Sequence, residues 1–191
     1  MTGAEVWLRG TATLSADRAY RYLLTRRWGD GPAMTWIMLN PSTADASDDD
    51  PTIRRCIGFA RREGCAAIQV VNLFALRAAD PRELRASPDP VGPGNDGFLL
   101  ARPAAACIVA AWGASGNFLG RSRKVRVMLG GTALLCLGLT SAGEPRHPLY
   151  SRSDTPLVPF PAITPARSSA LEKHAAGRGR LPSDDPEVMH R

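Results

Sequence analysis

A chain of 191 residues with 44% apolar content is enough for one globular domain and a tail. Its formal charge of +6 rests almost wholly on arginine, since lysine occurs only at Lys124 and Lys173; guanidinium groups suit phosphate and carboxylate, but a genome rich in G and C gives the same bias, so basicity alone establishes no partner. No apolar run approaches the ~20 residues that span a bilayer, and the N-terminus lacks a charged-then-apolar leader, so a cytoplasmic protein is expected.

In chain order, residues 9–28 alternate Tyr20, Tyr22 and Leu24 with Arg21, Leu23 and Thr25, which predicts an extended segment or hairpin. Gly29-Asp30-Gly31-Pro32 is a turn, and 34–39 is an apolar strand buried on both faces, broken at Asn40-Pro41. Asp50-Pro51 predicts a capped helix running to Gly64, with Ile53, Cys56, Ile57 and Ala60 on its apolar side. Residues 66–73 form a second strand ending near Asn72. Asp80-Pro81 opens a short helix through Leu84, and SPDPVGPGND leads into another at 97–101. A third strand at 107–112 precedes an arginine-rich helix at about 118–129. A fourth spans 133–139, followed by a loop carrying His147.

Strands separated by helices predict a parallel sheet of four strands covered on both faces, with an N-terminal β-hairpin region. Residues 1–155 would form the domain and 156–191 a loosely ordered tail. Cys56, Cys65, Cys107 and Cys136 show no close-pair spacing and read as reduced core residues. Neither a metal nor a cofactor is expected: there is no Gly-rich phosphate loop, and Asp45, Asp48, Asp49 and Asp50 are explained by capping and solvation.

In a parallel sheet Asn40, Asn72, Trp112-Gly113 and His147 all follow strands in the same sense, and so meet at one edge, where open α/β sheets bind ligands. Asparagine offers one acceptor and two donors without charge, a match for the amide edge of a nucleobase; equally, it ties down turns after strands. His147 beside Arg146 can stabilise a developing oxyanion, or be an ordinary loop histidine. Phe74, Trp112 and Tyr150 can stack on a base, and Arg54 and Arg55 in the first turn of the Asp50 helix can meet phosphate.

The series LNPSTAD, DDPTIRRCIGFAR, VVNLFALRAADP, VGPGND, AAWG and PRHPLY closely resembles a prokaryotic and phage family known as domain of unknown function 1643, over roughly residues 20–160. In motif order it is also similar to the uracil-DNA glycosylase superfamily. That resemblance implies a three-layer α/β/α fold on a four-stranded parallel sheet. It casts Asn40 as the residue directing water, Asn72 as the base reader, and His147 as the donor to the base oxygen. Ser42 stands where that superfamily has glycine or tyrosine, and the loop after His147 lacks the Ser-Pro that grips duplex phosphates. The expectation is a glycosylase-like protein acting on a nucleobase in nucleic acid, DNA before RNA, or in a nucleotide. Asn40 and His147 would be catalytic, and Ser42, Asp50, Arg54, Arg55, Asn72, Phe74, Asn95, Trp112, Arg146 and Tyr150 would bind substrate. The alternative is a non-catalytic module binding a nucleotide or modified nucleic acid in the same pocket.

Overall fold

The computed structural model describes residues 9–42, 49–101 and 105–162. Strands β1 (Arg9–Leu14) and β2 (Arg21–Arg27) form an antiparallel hairpin, and β3 (Ala33–Met38) follows the Gly29–Pro32 turn. Helix α1 (Pro51–Arg62) is capped by Asp50, whose Oδ1 accepts from Ile53 N at 2.8 Å, and Gly64 beyond its end takes φ +74°. Next come β4 (Ala67–Asn72), α2 (Pro81–Ala86), α3 (Asn95–Leu100) and β5 (Cys107–Ala110). A 3₁₀ segment (Ala114–Gly120) leads into α4 (Arg121–Met128), and the chain closes with β6 (Leu135–Cys136), a 3₁₀ turn (Pro148–Tyr150) and β7 (Val158–Pro159).

The sheet corrects the expected architecture. It has seven strands in the order β1-β2-β4-β3-β5-β6-β7 and is mixed. β4, β3, β5 and β6 pair in parallel, but β2 lies antiparallel on β4, and β7 antiparallel on β6. The hairpin is therefore no separate region. The open edge of β4 needs partners for its amides and carbonyls, and β2 supplies them with Leu24 against Val70 and Arg26 against Ile68. Helices are few, and α2 and α3 have six residues each, so the three-layer sandwich on a four-stranded parallel sheet gives way to a wide mixed sheet with sparse cover.

Two apolar clusters follow from the alternation of side chains along the central strands. Met34, Trp36, Met38, Ile68 and Val70 pack with Ile53, Cys56, Ile57 and Phe59 of α1. Ile37, Val71 and Ala110 point the other way and pack with Leu99 and Val125. Two local expectations also change. The helix predicted from Phe118 breaks there, because Phe118 (ψ 131°) and Leu119 (φ +53°) leave helical geometry, so α4 starts at Arg121. The predicted strand at 133–139 shrinks to two residues because Gly138 turns at φ +93°. Of the expected tail, 156–162 carry β7 and the buried Phe160, which meets the Trp112 ring edge-on at 5.6 Å; residues 163–191 lie outside the described part. No helix among the described residues is long and apolar enough to cross a membrane.

Candidate functional site

The carboxyl ends of β3, β4 and β5 open into a cleft of about 410 Å³. Asn40, Ser42, Asp50, Asn72, Trp112, His147 and Tyr150 all line it. Seven of the sequence-nominated residues thus share one cavity.

Asn72 is the last residue of β4 and lies on the cleft floor, with only 1% of its surface exposed. Neither its Oδ1 nor its Nδ2 has a hydrogen-bond partner among the described residues. A buried amide left without partners costs about 1–3 kcal/mol in proteins, so any polar group in the cleft that reaches it gains a hydrogen bond. Asn95 sits behind it: its Nδ2 donates to the carbonyls of Asn72 and Leu73, both at 3.1 Å, and Arg121 Nε donates to Leu73 O at 2.7 Å. Asn95 braces the end of β4 and does not line the cleft.

Asn40 is half-buried, and its Nδ2 donates to Pro41 O at 3.0 Å and Ala78 O at 2.8 Å. Both amide protons are therefore spent on the turn, which leaves Oδ1 as an acceptor without a donor among the described residues. Asp50 is also committed, with Oδ1 on Ile53 N and Oδ2 accepting from Ser42 Oγ at 2.8 Å. Asp50→Ala should lower stability by about 1–2 kcal/mol through the lost cap, read as a shift in denaturant midpoint with unchanged slope.

His147 comes from the loop after β6, which is held firmly. Gly113 N donates to Pro145 O and Arg146 N to Gly138 O, both at 2.9 Å, and Thr140 N donates to Glu144 O at 2.7 Å. Gly113 takes φ +73°, open to glycine, and a Cβ there would stand 3.5 Å from His147 Cβ. His147 Nδ1 accepts from Leu149 N at 3.3 Å, so the neutral ring carries its proton on Nε2. Burial pushes its pKa below the usual 6.5, and the charge of Asp50 opposes this in part. Because the folded value lies below the unfolded one, the unfolded chain binds the extra proton first. Stability is full above pH 6.5 and falls as pH drops toward the folded pKa. In His147→Asn, which can still cap the turn at 148–150, that acid limb should flatten in pH-dependent unfolding.

Trp112 is buried, with Nε1 donating to Glu144 Oε2 at 2.5 Å, while Glu144 Oε1 accepts from Ser122 Oγ at 2.8 Å. Its polar end is thus turned to the protein, and it acts as wall. Tyr150 is 83% exposed, its ring 5.7 Å from that of His147. Arg146 is exposed and lines an adjoining cavity that shares Gly113, Ala114, His147 and Tyr150 with the cleft.

The remaining nominees fall elsewhere. Phe74 is fully buried against Phe118 in the second core cluster. Arg54 is exposed and donates to Asp49 O; Arg55 donates to Ser151 O and lies over the Phe59 ring. Neither arginine lines the cleft. Sequence reasoning missed Arg21, Thr52 and Ser115, which do. Arg21 is 2% exposed at the start of β2, and because β2 runs against β4, its first residue arrives at the edge where β4 ends. Only the strand pairing could have revealed it. The expectations for Asp45 and Asp48 lie outside the described residues; Asp49 pairs with the buried Arg26 at 2.8 Å.

No curated protein and no solved structure matches the chain. A family model described as "Protein of unknown function (DUF1643)" matches residues 21–149, from the strand bearing Arg21 to the turn after His147. The chain belongs to that family.

Proposed function

We propose that the cleft holds a nucleobase, in nucleic acid or in a nucleotide, and that the protein hydrolyses the N-glycosidic bond to it or carries out a related modification of the base. The observation that carries this reading is the buried amide of Asn72 on the cleft floor, which has no hydrogen-bond partner among the described residues. Its acceptor and donors would meet the complementary donor and acceptors of a base edge. His147 Nε2–H, fixed by the Leu149 amide on the other nitrogen, would donate to a base oxygen as negative charge gathers there. Asn40 Oδ1 would accept from a water whose oxygen adds to the sugar carbon as the base departs, the water's proton ending on the base. In a duplex the base would first have to leave the stack.

The test is base release from DNA or nucleotides containing uracil, hypoxanthine or hypermodified bases. Release by the wild type that is lost in Asn40→Ala and His147→Ala supports the reading; equal release by both variants overturns it. A second reading, recognition without turnover, is favoured by one observation: Asp50 is the sole carboxylate lining the cleft among the described residues, and both its oxygens are engaged. Binding lost in Asn72→Ala, kept in Asn40→Ala and unaccompanied by product would select it.

A further inference from the structure

On another side of the cleft from the Arg146 cavity lies one of about 340 Å³ that shares Ser42, Ala78 and Ala79 with the cleft and adds Arg18 and Arg77. Arg77 lies in the loop after β4; its main-chain amide donates to Ala19 O at 2.9 Å and its Nη1 to Arg18 O at 3.3 Å. Its Nε is buried and has no hydrogen-bond partner among the described residues. Arg18 is exposed and sits in a turn at φ +60°, held by its amide on Ser15 O at 2.9 Å. The nearest carboxylate in sequence, Asp17, is spent inside the same turn, accepting from Ser15 Oγ at 2.5 Å and Ala19 N at 3.1 Å. Among the described residues no carboxylate lines this cavity, and neither arginine forms an ion pair.

Two arginines thus line one hollow, and the planar N–H forks of guanidinium groups fit phosphate oxygens two at a time. We infer that the Arg18–Arg77 cavity is a phosphate subsite for the nucleotide whose base enters the adjoining cleft, an inference that rests on the nucleobase reading above. The shared wall of Ser42, Ala78 and Ala79 makes base cleft and phosphate cavity neighbours. The phosphate belongs either to a free nucleotide or to the backbone of a strand, and the chemistry at the arginines is the same for both.

The experiment uses a probe without a base. Inorganic pyrophosphate is titrated into the full chain while the arginine Nε–Hε resonances are followed by NMR. A saturable shift of the Arg77 signal is expected in the wild type and equally in Asn72→Leu, with at least a tenfold loss of pyrophosphate affinity in Arg18→Gln/Arg77→Gln. Arg77→Lys, which keeps the charge and guards against a mere folding defect, should restore part of it. An unmoved Arg77 resonance, or equal pyrophosphate affinity in the double glutamine variant, overturns the subsite. Failure of nucleosides to bind while pyrophosphate still does would instead remove the base reading alone. In a second arm deoxyuridine, its 5′-monophosphate and a short oligodeoxynucleotide without terminal phosphate are compared. A tenfold gain over the nucleoside, abolished by the double variant, is expected for the monophosphate if the source is a free nucleotide and for the oligonucleotide alone if it is a strand. No gain in either overturns the link between the two cavities.

Discussion

Asn72→Leu is expected to lose nucleobase binding by at least about 100-fold and, at the same time, to make the protein more stable. The two effects have one cause. The Asn72 amide is buried at the end of β4 with neither polar atom bonded within the described chain, so the unliganded fold bears the desolvation of a group it does not use. Leucine keeps the branch at Cγ, can direct its extra bulk into the cleft that Asn72 lines, and makes no such demand, so the unfolding free energy should rise by about 1–2 kcal/mol. The ligand loses the acceptor and donors that the floor of the cleft supplied, and sites built to hydrogen-bond their substrate discriminate by orders of magnitude when a partner is removed. Calorimetric binding and denaturant unfolding on the same preparation check both halves. A variant that is less stable than the wild type would show that the amide is satisfied in the resting protein, and the argument for a missing partner would fall.

Gly116→Ala is expected to destabilise the fold by about 3 kcal/mol or more, at the upper end of what overpacking costs. A Cβ at that position would lie 1.9 Å from Cδ1 and 2.4 Å from Nε1 of Trp112, distances no side chain tolerates. The indole has little room to yield. It is 1% exposed, anchored to Glu144 by its N–H and packed edge-on against Phe160. Displacing it moves a wall of the cleft and strains the Glu144 link to the His147 loop. The thermal midpoint and the near-ultraviolet dichroism of tryptophan should both change, whereas Gly97→Ala, with open space around its Cβ position, should be far milder.

The site was legible where the signal was local. A short apolar run closed by asparagine marks a strand end whatever the rest of the sheet does, and Asn40 and Asn72 were found that way. The loop between Pro145 and Pro148 likewise announced His147. What was not legible depended on pairing between distant segments. Alternation around Tyr22 and Leu24 predicts extended chain but not its neighbour, so neither the hairpin's place on β4 nor the arrival of Arg21 in the cleft followed. Proximity in sequence misled for Arg54 and Arg55. They stand one turn from Asp50, but the buried side of α1 carries Ile53, Cys56 and Ile57 onto the sheet and leaves Arg54 facing out and Arg55 turned to Ser151. Phe74, just beyond β4, has the place in sequence of a stacking partner, but its ring packs into the second core cluster against Phe118.

The clasp formed by Gly113 on Pro145, Arg146 on Gly138 and Thr140 on Glu144 fixes the histidine-bearing turn from three directions before any guest is present. Conformational freedom on that rim was surrendered when the chain folded, so docking has little left to freeze there. Association should accordingly run as a single fast phase, with mutations along the clasp showing up as slower capture and a heavier entropic penalty while the contacts themselves stay the same.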